Sequence, residues 1–195
     1  MKKLQFVLAG LLAFGAMGAC KEKDPHAHHK MESGNVSGAS LYEFHDMFTD
    51  QDGKKLMLHQ MEGKYIVLSM FYATCTAICP RIASEMTRLE KALTNEQRAQ
   101  TRFVLISFDH ERDDVKNLQK FKAKMKLDES FTLLTGSVDG VREVAAALGV
   151  NYKKLDDGEF SHSSVFTLLS PKGEIILQHA GLSMNADTFR EKIRP

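Results

Sequence analysis

The 195-residue chain has no tryptophan, four prolines and three cysteines, and neither charge sign is in excess. The missing tryptophan rules out a peroxide-reducing site of the glutathione-peroxidase type, which needs one. With 26 Lys and Arg against 25 Asp and Glu, the formal net charge is +1. That excludes a nucleic-acid binder working through massed positive charge. Three cysteines are an odd number, so one has to be accounted for apart from any pair. The prolines are few enough to place singly: Pro25 in a polar lead-in, Pro80 directly after a cysteine, Pro171 in a late turn and Pro195 at the end. Apolar side chains are plentiful, at 43%. They suffice for the core of one ordinary domain preceded by an extension.

The N-terminus accounts for the odd cysteine. Lys2 and Lys3 precede the apolar run FVLAGLLAFGAMGA and then Cys20. This is a basic n-region, an h-region too short to span a bilayer comfortably, and small residues before a cut. The ending Met17-Gly18-Ala19-Cys20 resembles a bacterial lipobox, although Met17 stands where Leu is more usual. Residues 1–19 are therefore expected to be a lipoprotein signal peptide, and Cys20 a lipidated first residue of the mature chain. The protein is expected on the periplasmic side of a bacterial membrane. Lys21 leaves the choice between inner and outer membrane open. Residues 20–40 are polar and without apolar periodicity, and read as a flexible tether. It carries His26, His28 and His29. Clustered imidazoles hold copper or zinc loosely, but a tether fixes no geometry, so a simple solvated tether is an equal reading.

One domain is expected over residues 41–195. TDQDGKK at 49–55 holds a hairpin signal, Asp52-Gly53. KYIVLSMFY at 64–72 and RFVLISF at 102–108 read as strands covered on both faces, and FTLL at 131–134 as a short strand. Ile82, Met86, Leu89 and Leu93 mark one helix; Val115, Leu118, Phe121 and Met125 a second; Val141, Val144, Ala145 and Leu148 a third, closed by Gly149. SVFTLL at 164–169 and EIILQHA at 174–180 form a hairpin about Ser170-Pro171-Lys172-Gly173, and a last helix covers about 185–193. The order predicts an α/β domain with a central mixed β-sheet flanked by helices and a late β-hairpin. With a cysteine pair at the end of the first buried strand, it resembles a thioredoxin-like fold. Met70, Met86 and Met125 fall at core positions and read as packing residues rather than ligands.

Pro80 is tolerated only in the first turn of a helix, which puts that helix start beside Cys79. Cys75 and Cys79 then sit where a strand ends and a helix begins. Unpaired N–H groups and the helix dipole favour thiolate there. Thiolate both attacks disulfides and binds metal. A general thiol oxidoreductase of the thioredoxin type carries C-x-x-C and a cis-proline on a facing strand. None of the four prolines is available for that role, and the corresponding strand start reads Ser161-His162-Ser163-Ser164. Two thiolates and an imidazole suit copper, whereas structural zinc usually takes a fourth ligand.

These residues resemble the Sco (SenC) family of copper proteins that serve cytochrome c oxidase assembly. The resemblance covers about residues 41–193. It rests on TDQDGK, on C-x-x-x-C-P at 75–80, on the acidic segment Asp109-His110-Glu111-Arg112-Asp113, and on His162-Ser163 ahead of a strand ending in Pro171-Lys172-Gly173. It implies Cys75, Cys79 and His162 as ligands of Cu(I) or Cu(II), with Cys75 and Cys79 also able to form a redox disulfide. Asp109 and His110 are accessory candidates, while Asp113 reads as a helix-capping residue. The implied role is a metallochaperone, with oxidase subunit II or a similar cuproprotein as client. Other periplasmic copper chaperones or thiol reductases are further partners; nucleic acid is not one. Thr76, His110 and Ser161 depart from the family's usual Pro, Pro and Asp.

Three other readings compete. A thiol-disulfide reductase would keep a client's cysteines reduced with the same dithiol. A thiol peroxidase would use Thr76-Ala77-Ile78-Cys79 as T-x-x-C, but Tyr72 stands where that site needs proline. A copper buffer would store metal in the histidine tether.

Overall fold

The computed structural model describes residues 40–194. The expected signal peptide and the expected tether over residues 20–39, with Cys20, His26, His28 and His29, lie outside the described residues. A short hairpin opens the domain: β1 (Phe48–Asp50) and β2 (Lys55–Leu56) pair antiparallel across the Asp52-Gly53 turn. The Asp50 carboxylate accepts the N–H groups of Asp52 and Lys54 at 2.9 and 2.8 Å. Gly53 has φ 80°, a conformation that costs glycine nothing. There follow β3 (Tyr65–Phe71), α1 (Ile78–Ala92), α2 (Asn95–Ala99), β4 (Thr101–Ser107), α3 (Val115–Met125), β5 (Phe131–Gly136) and α4 (Val138–Ala147). The chain then forms β6 (Tyr152–Lys154), β7 (Phe160–His162), β8 (Val165–Leu169), β9 (Ile175–Ala180) and α5 (Ala186–Lys192).

The main sheet runs in the order β2-β1-β5-β4-β3-β8-β9. Strands β3, β4 and β5 are parallel, while β1, β8 and β9 pair antiparallel with their neighbours. Parallel neighbours need a helical crossover, and the apolar stripes of α1 and α3 supply it. Each stripe turns inward: Ile82, Met86 and Leu89 of α1 and Leu118 and Phe121 of α3 are buried. Continuous apolar runs in β3 and β4 follow from coverage on both faces. Gly149, at φ 65°, ends α4 as expected, and the Val150 N–H returns to the Ala145 carbonyl at 2.8 Å.

The expected mixed sheet, crossover helices and late hairpin (β8–β9) are all present. Two features add to the expected order. One is α2, a single short helix opened by a capping box in which Thr94 and Gln97 bond reciprocally. It is too short to leave a periodic apolar signal. The other is the separate two-stranded sheet β6–β7, whose residues are partly exposed and polar.

The centre of the sheet carries the stability. Phe103 on β4 is fully buried and stacks on Phe131 of β5 with centroids 4.9 Å apart. Replacing Phe103 with Ala is expected to cost about 3–5 kcal/mol, read as a lowered midpoint in thermal or urea unfolding.

Candidate functional site

The parallel strand β3 delivers the chain into the protein interior and ends at Phe71. Residues 72–77 then turn into α1, with Cys75 in the turn and Cys79 in the first turn of the helix. Both are buried free thiols, 4% and 0% exposed. The backbone binds them together. The Tyr72 N–H donates to the Cys79 sulfur, and the Cys79 N–H donates to the Cys75 sulfur, each at 3.4 Å. The Cys75 N–H in turn donates to the Tyr72 carbonyl at 3.3 Å.

This arrangement separates the two thiols electrostatically. Hydrogen bonding from the Cys79 thiol is the largest influence on Cys75. With the N–H groups of Cys79 and Ala77, it outweighs burial and lowers the Cys75 thiol to about 4. Cys79 is pushed far up: it gives its proton to Cys75, is buried more deeply, and feels the charges of Cys75 and Asp113. The pair therefore holds one thiolate and one thiol at neutral pH. A single sulfur is ready to attack or to ligate, with a proton held beside it.

His162 is the last residue of β7 rather than the first of a main-sheet strand; β8 begins at Val165. It lines the same cavity of about 350 Å³ as Cys75, together with Tyr72, Thr76, Ala77, Ile78, Glu159, Phe160 and Ser161. Its ring packs on Phe108 at 5.0 Å and meets the Tyr72 ring edge-on at 6.1 Å. Its Nδ1 lies 3.2 Å from the Ser163 carbonyl oxygen. Cys79 lies behind Cys75. Among the described residues, no three His, Cys, Asp or Glu side chains are arranged to hold a metal ion. The fold thus brings the two cysteines together and sets His162 at the same cavity, short of a closed ligand set. Two soft thiols and an imidazole are nonetheless the donor chemistry that copper takes.

The segment 109–113 divides. Asp109 is buried and ion-pairs with Arg112 Nε. His110 is exposed and lines a different cavity, with Glu111, Arg142 and Lys154. Asp113 corrects the sequence-based expectation: Asp114, not Asp113, caps α3, accepting from the Asn117 N–H at 2.8 Å. Asp113 is instead buried beneath the cysteine turn. Its Oδ2 accepts the Ala73 N–H and the Ser107 hydroxyl, each at 2.6 Å, while Oδ1 is buried without a partner. Burial raises its pKa above the usual carboxylate range, against the two hydrogen bonds.

Comparison with known proteins decides the family. The SCO1/SenC family model matches residues 38–195. The chain belongs to the SCO1/SenC family. It is 32% identical over 139 residues to the SCO1 protein homolog of Bacillus subtilis, covering 69% of this chain and 72% of that one. Among solved structures it is similar to BsSco, described as a member of the Sco family of cytochrome c oxidase assembly proteins. That match is 27% identical with a TM-score of 0.70, covering 82% and 94% of the two chains. The copper-bound ScoI of Arabidopsis thaliana, 24% identical with a TM-score of 0.66 and 75% and 91% coverage, shares the thioredoxin-like fold.

Within this SCO1/SenC chain, sequence reasoning missed Tyr72, Arg112 and Glu159 as parts of the site. The Tyr72 hydroxyl donates to Glu159 Oε2 at 2.6 Å. The Arg112 guanidinium lies 5.7 Å from the centroids of both Tyr72 and Phe160. Tyr72 was legible only as a strand-end aromatic, and Glu159 sits in a polar stretch without periodicity. Only the folding of β6–β7 against the cysteine turn joins them.

The depressed Cys75 value has a measurable consequence. The ultraviolet thiolate band of the reduced protein is expected to persist as pH falls from about 8 to about 5 and to disappear near 4. Cys75→Ser should remove the band, and Cys79→Ser should weaken its resistance to acid, because the largest stabilising hydrogen bond is then altered. The linkage sign follows. A lowered folded pKa adds stability that is full above the unfolded thiol value and is lost as pH falls through about 4. A band that vanishes between pH 8 and 9, as for an ordinary thiol, would contradict the assignment.

Proposed function

We propose that the protein is a copper metallochaperone of the cell envelope, binding copper as cargo through Cys75, Cys79 and His162. It hands the metal to the copper centre of cytochrome c oxidase subunit II or a related cuproprotein. The observation that carries this reading is the cavity shared by the Cys75 thiolate and the His162 imidazole, backed by Cys79, whose N–H donates to the Cys75 sulfur at 3.4 Å. No proline is available to take the histidine's place in the sequence. Family membership supports it, as do the cytochrome c oxidase assembly role of the similar BsSco and the copper bound by the Arabidopsis thaliana ScoI.

The division of labour follows from the electrostatics. Cys75 is already ionised and meets the metal first; Cys79 loses its proton as its sulfur joins. His162 completes the set by moving the end of β7 toward the sulfurs. Three protein ligands leave copper open to an incoming thiolate of the client, so transfer proceeds by ligand exchange without a bare ion. Anchoring through Cys20 would hold this exchange at the membrane surface where an oxidase subunit presents its copper site. Among the described residues no helix is long and apolar enough to cross a membrane.

Adding Cu(II) to the reduced protein is expected to give thiolate-to-copper charge-transfer bands at one equivalent. The bands should be lost in Cys75→Ser, Cys79→Ser and His162→Ala. Deleting residues 21–35 should leave them in place; if it abolishes them, copper sits on the tether histidines instead. His162→Ala also separates metal carriage from thiol exchange. Loss of copper with dithiol reduction of a model disulfide intact is the chaperone outcome, while unchanged copper spectra in the variant would remove His162 from the site.

A further inference from the structure

His162 rides on a small structure. The β6–β7 sheet pairs only three residues a side, from Tyr152↔His162 to Lys154↔Phe160, and is separate from the main sheet. A hairpin of that size is not stable alone in water. Its place over the cysteine turn is therefore set by what holds it down. Part of the hold is apolar: Phe108 packs on Tyr152 at 5.0 Å and on Phe160 at 5.1 Å. Such packing resists separation but permits sliding, since it has no direction. Polar ties from the hairpin add direction. Lys154 pairs with Glu111, far from the thiols on the side of the larger cavity. Glu159 accepts the Tyr72 hydroxyl at 2.6 Å, inside the cavity that Cys75 and His162 share.

Tyr72 is placed to link the two. Its N–H holds the Cys79 sulfur, its carbonyl holds the Cys75 N–H, and its ring meets Phe160 at 5.2 Å and His162 edge-on. Arg112 covers the ring and lies 3.9 Å from Glu159 Oε1. A phenol has one proton to donate. Here Glu159 takes it.

We propose that Tyr72 is a positioning residue whose hydroxyl, donated to Glu159, latches the hairpin bearing His162 over Cys75. The latch itself is a property of the metal-free protein; its use in setting copper geometry rests on the reading of Cys75 and His162 as ligands.

Amide hydrogen exchange on the full-length, reduced, metal-free protein tests the latch. Tyr72→Phe keeps the ring and removes only the hydroxyl. In this variant, and in Glu159→Ala, the amides of residues 152–154 and 160–163 are expected to exchange about fivefold faster, with β3, β4 and β5 unchanged. The double variant should exchange no faster than Glu159→Ala alone, because that variant already removes the Tyr72–Glu159 bond together with the Arg112 contact. Lys154→Ala should add its own increment to Tyr72→Phe. Unchanged exchange in Tyr72→Phe, or additive effects of Tyr72→Phe and Glu159→Ala, would overturn the latch. Cu(II) spectra then test the positioning of His162: the thiolate-to-copper band should shift in Tyr72→Phe and stay in place in Lys154→Ala. An identical band in wild type and Tyr72→Phe would overturn the positioning role. Absence of any such band in the wild type would overturn the copper reading and leave the latch to be decided by exchange.

Discussion

The donation of the Cys79 N–H to the Cys75 sulfur is the contact on which the site depends. It exists because a strand buried on both faces ends against the N-terminus of a helix. The first N–H groups of a helix have no intrahelical partner, and here sulfur supplies one. The result is two thiols of opposite character a few residues apart. Cys75 is ionised by its neighbours, and Cys79 is kept protonated by burial and by the charge it faces. Were both sulfurs equally solvated, neither metal capture nor thiol exchange would have a defined first step.

The acidic segment after β4 supports that contact from below and from the side. Asp113 ties the cysteine turn to β4 through the Ala73 N–H and the Ser107 hydroxyl. Arg112, neutralised by Asp109, lies against Tyr72 and Phe160 and so braces the hairpin that carries His162. Residues that look like surface charge in the sequence are thus structural supports of the site. Only His110 and Glu111 face outward, toward the neighbouring cavity. Burying Asp113 with one oxygen unpartnered has a desolvation cost, and its charge, with that of Cys75, bears on Cys79.

Much of the fold was legible because its signals are local and repeated. Continuous apolar runs marked β3 and β4, helical spacing marked α1, α3 and α4, and Asp52-Gly53 and Gly149 marked a turn and a helix end. The exceptions have physical reasons. Helix α2 is one turn long and rests on a capping box, not on an apolar face. Strands β6 and β7 lie partly exposed, so burial never imposed alternation on them. Asp113 and Asp114 are adjacent carboxylates before one helix, and only packing decides which caps and which is buried.

The chain's residues by themselves determined the cysteine pair and its place between strand and helix. Each follows from short-range rules: where proline is tolerated, where helix N–H groups are free, and which side chains are soft donors. Tertiary structure decided the rest. It made Cys75 the thiolate and Cys79 the thiol, because their acidities depend on burial and on which N–H groups point at which sulfur. It also joined Tyr72 to Glu159, 87 residues away, because a hydrogen bond between distant segments exists only once the hairpin has folded back over the turn.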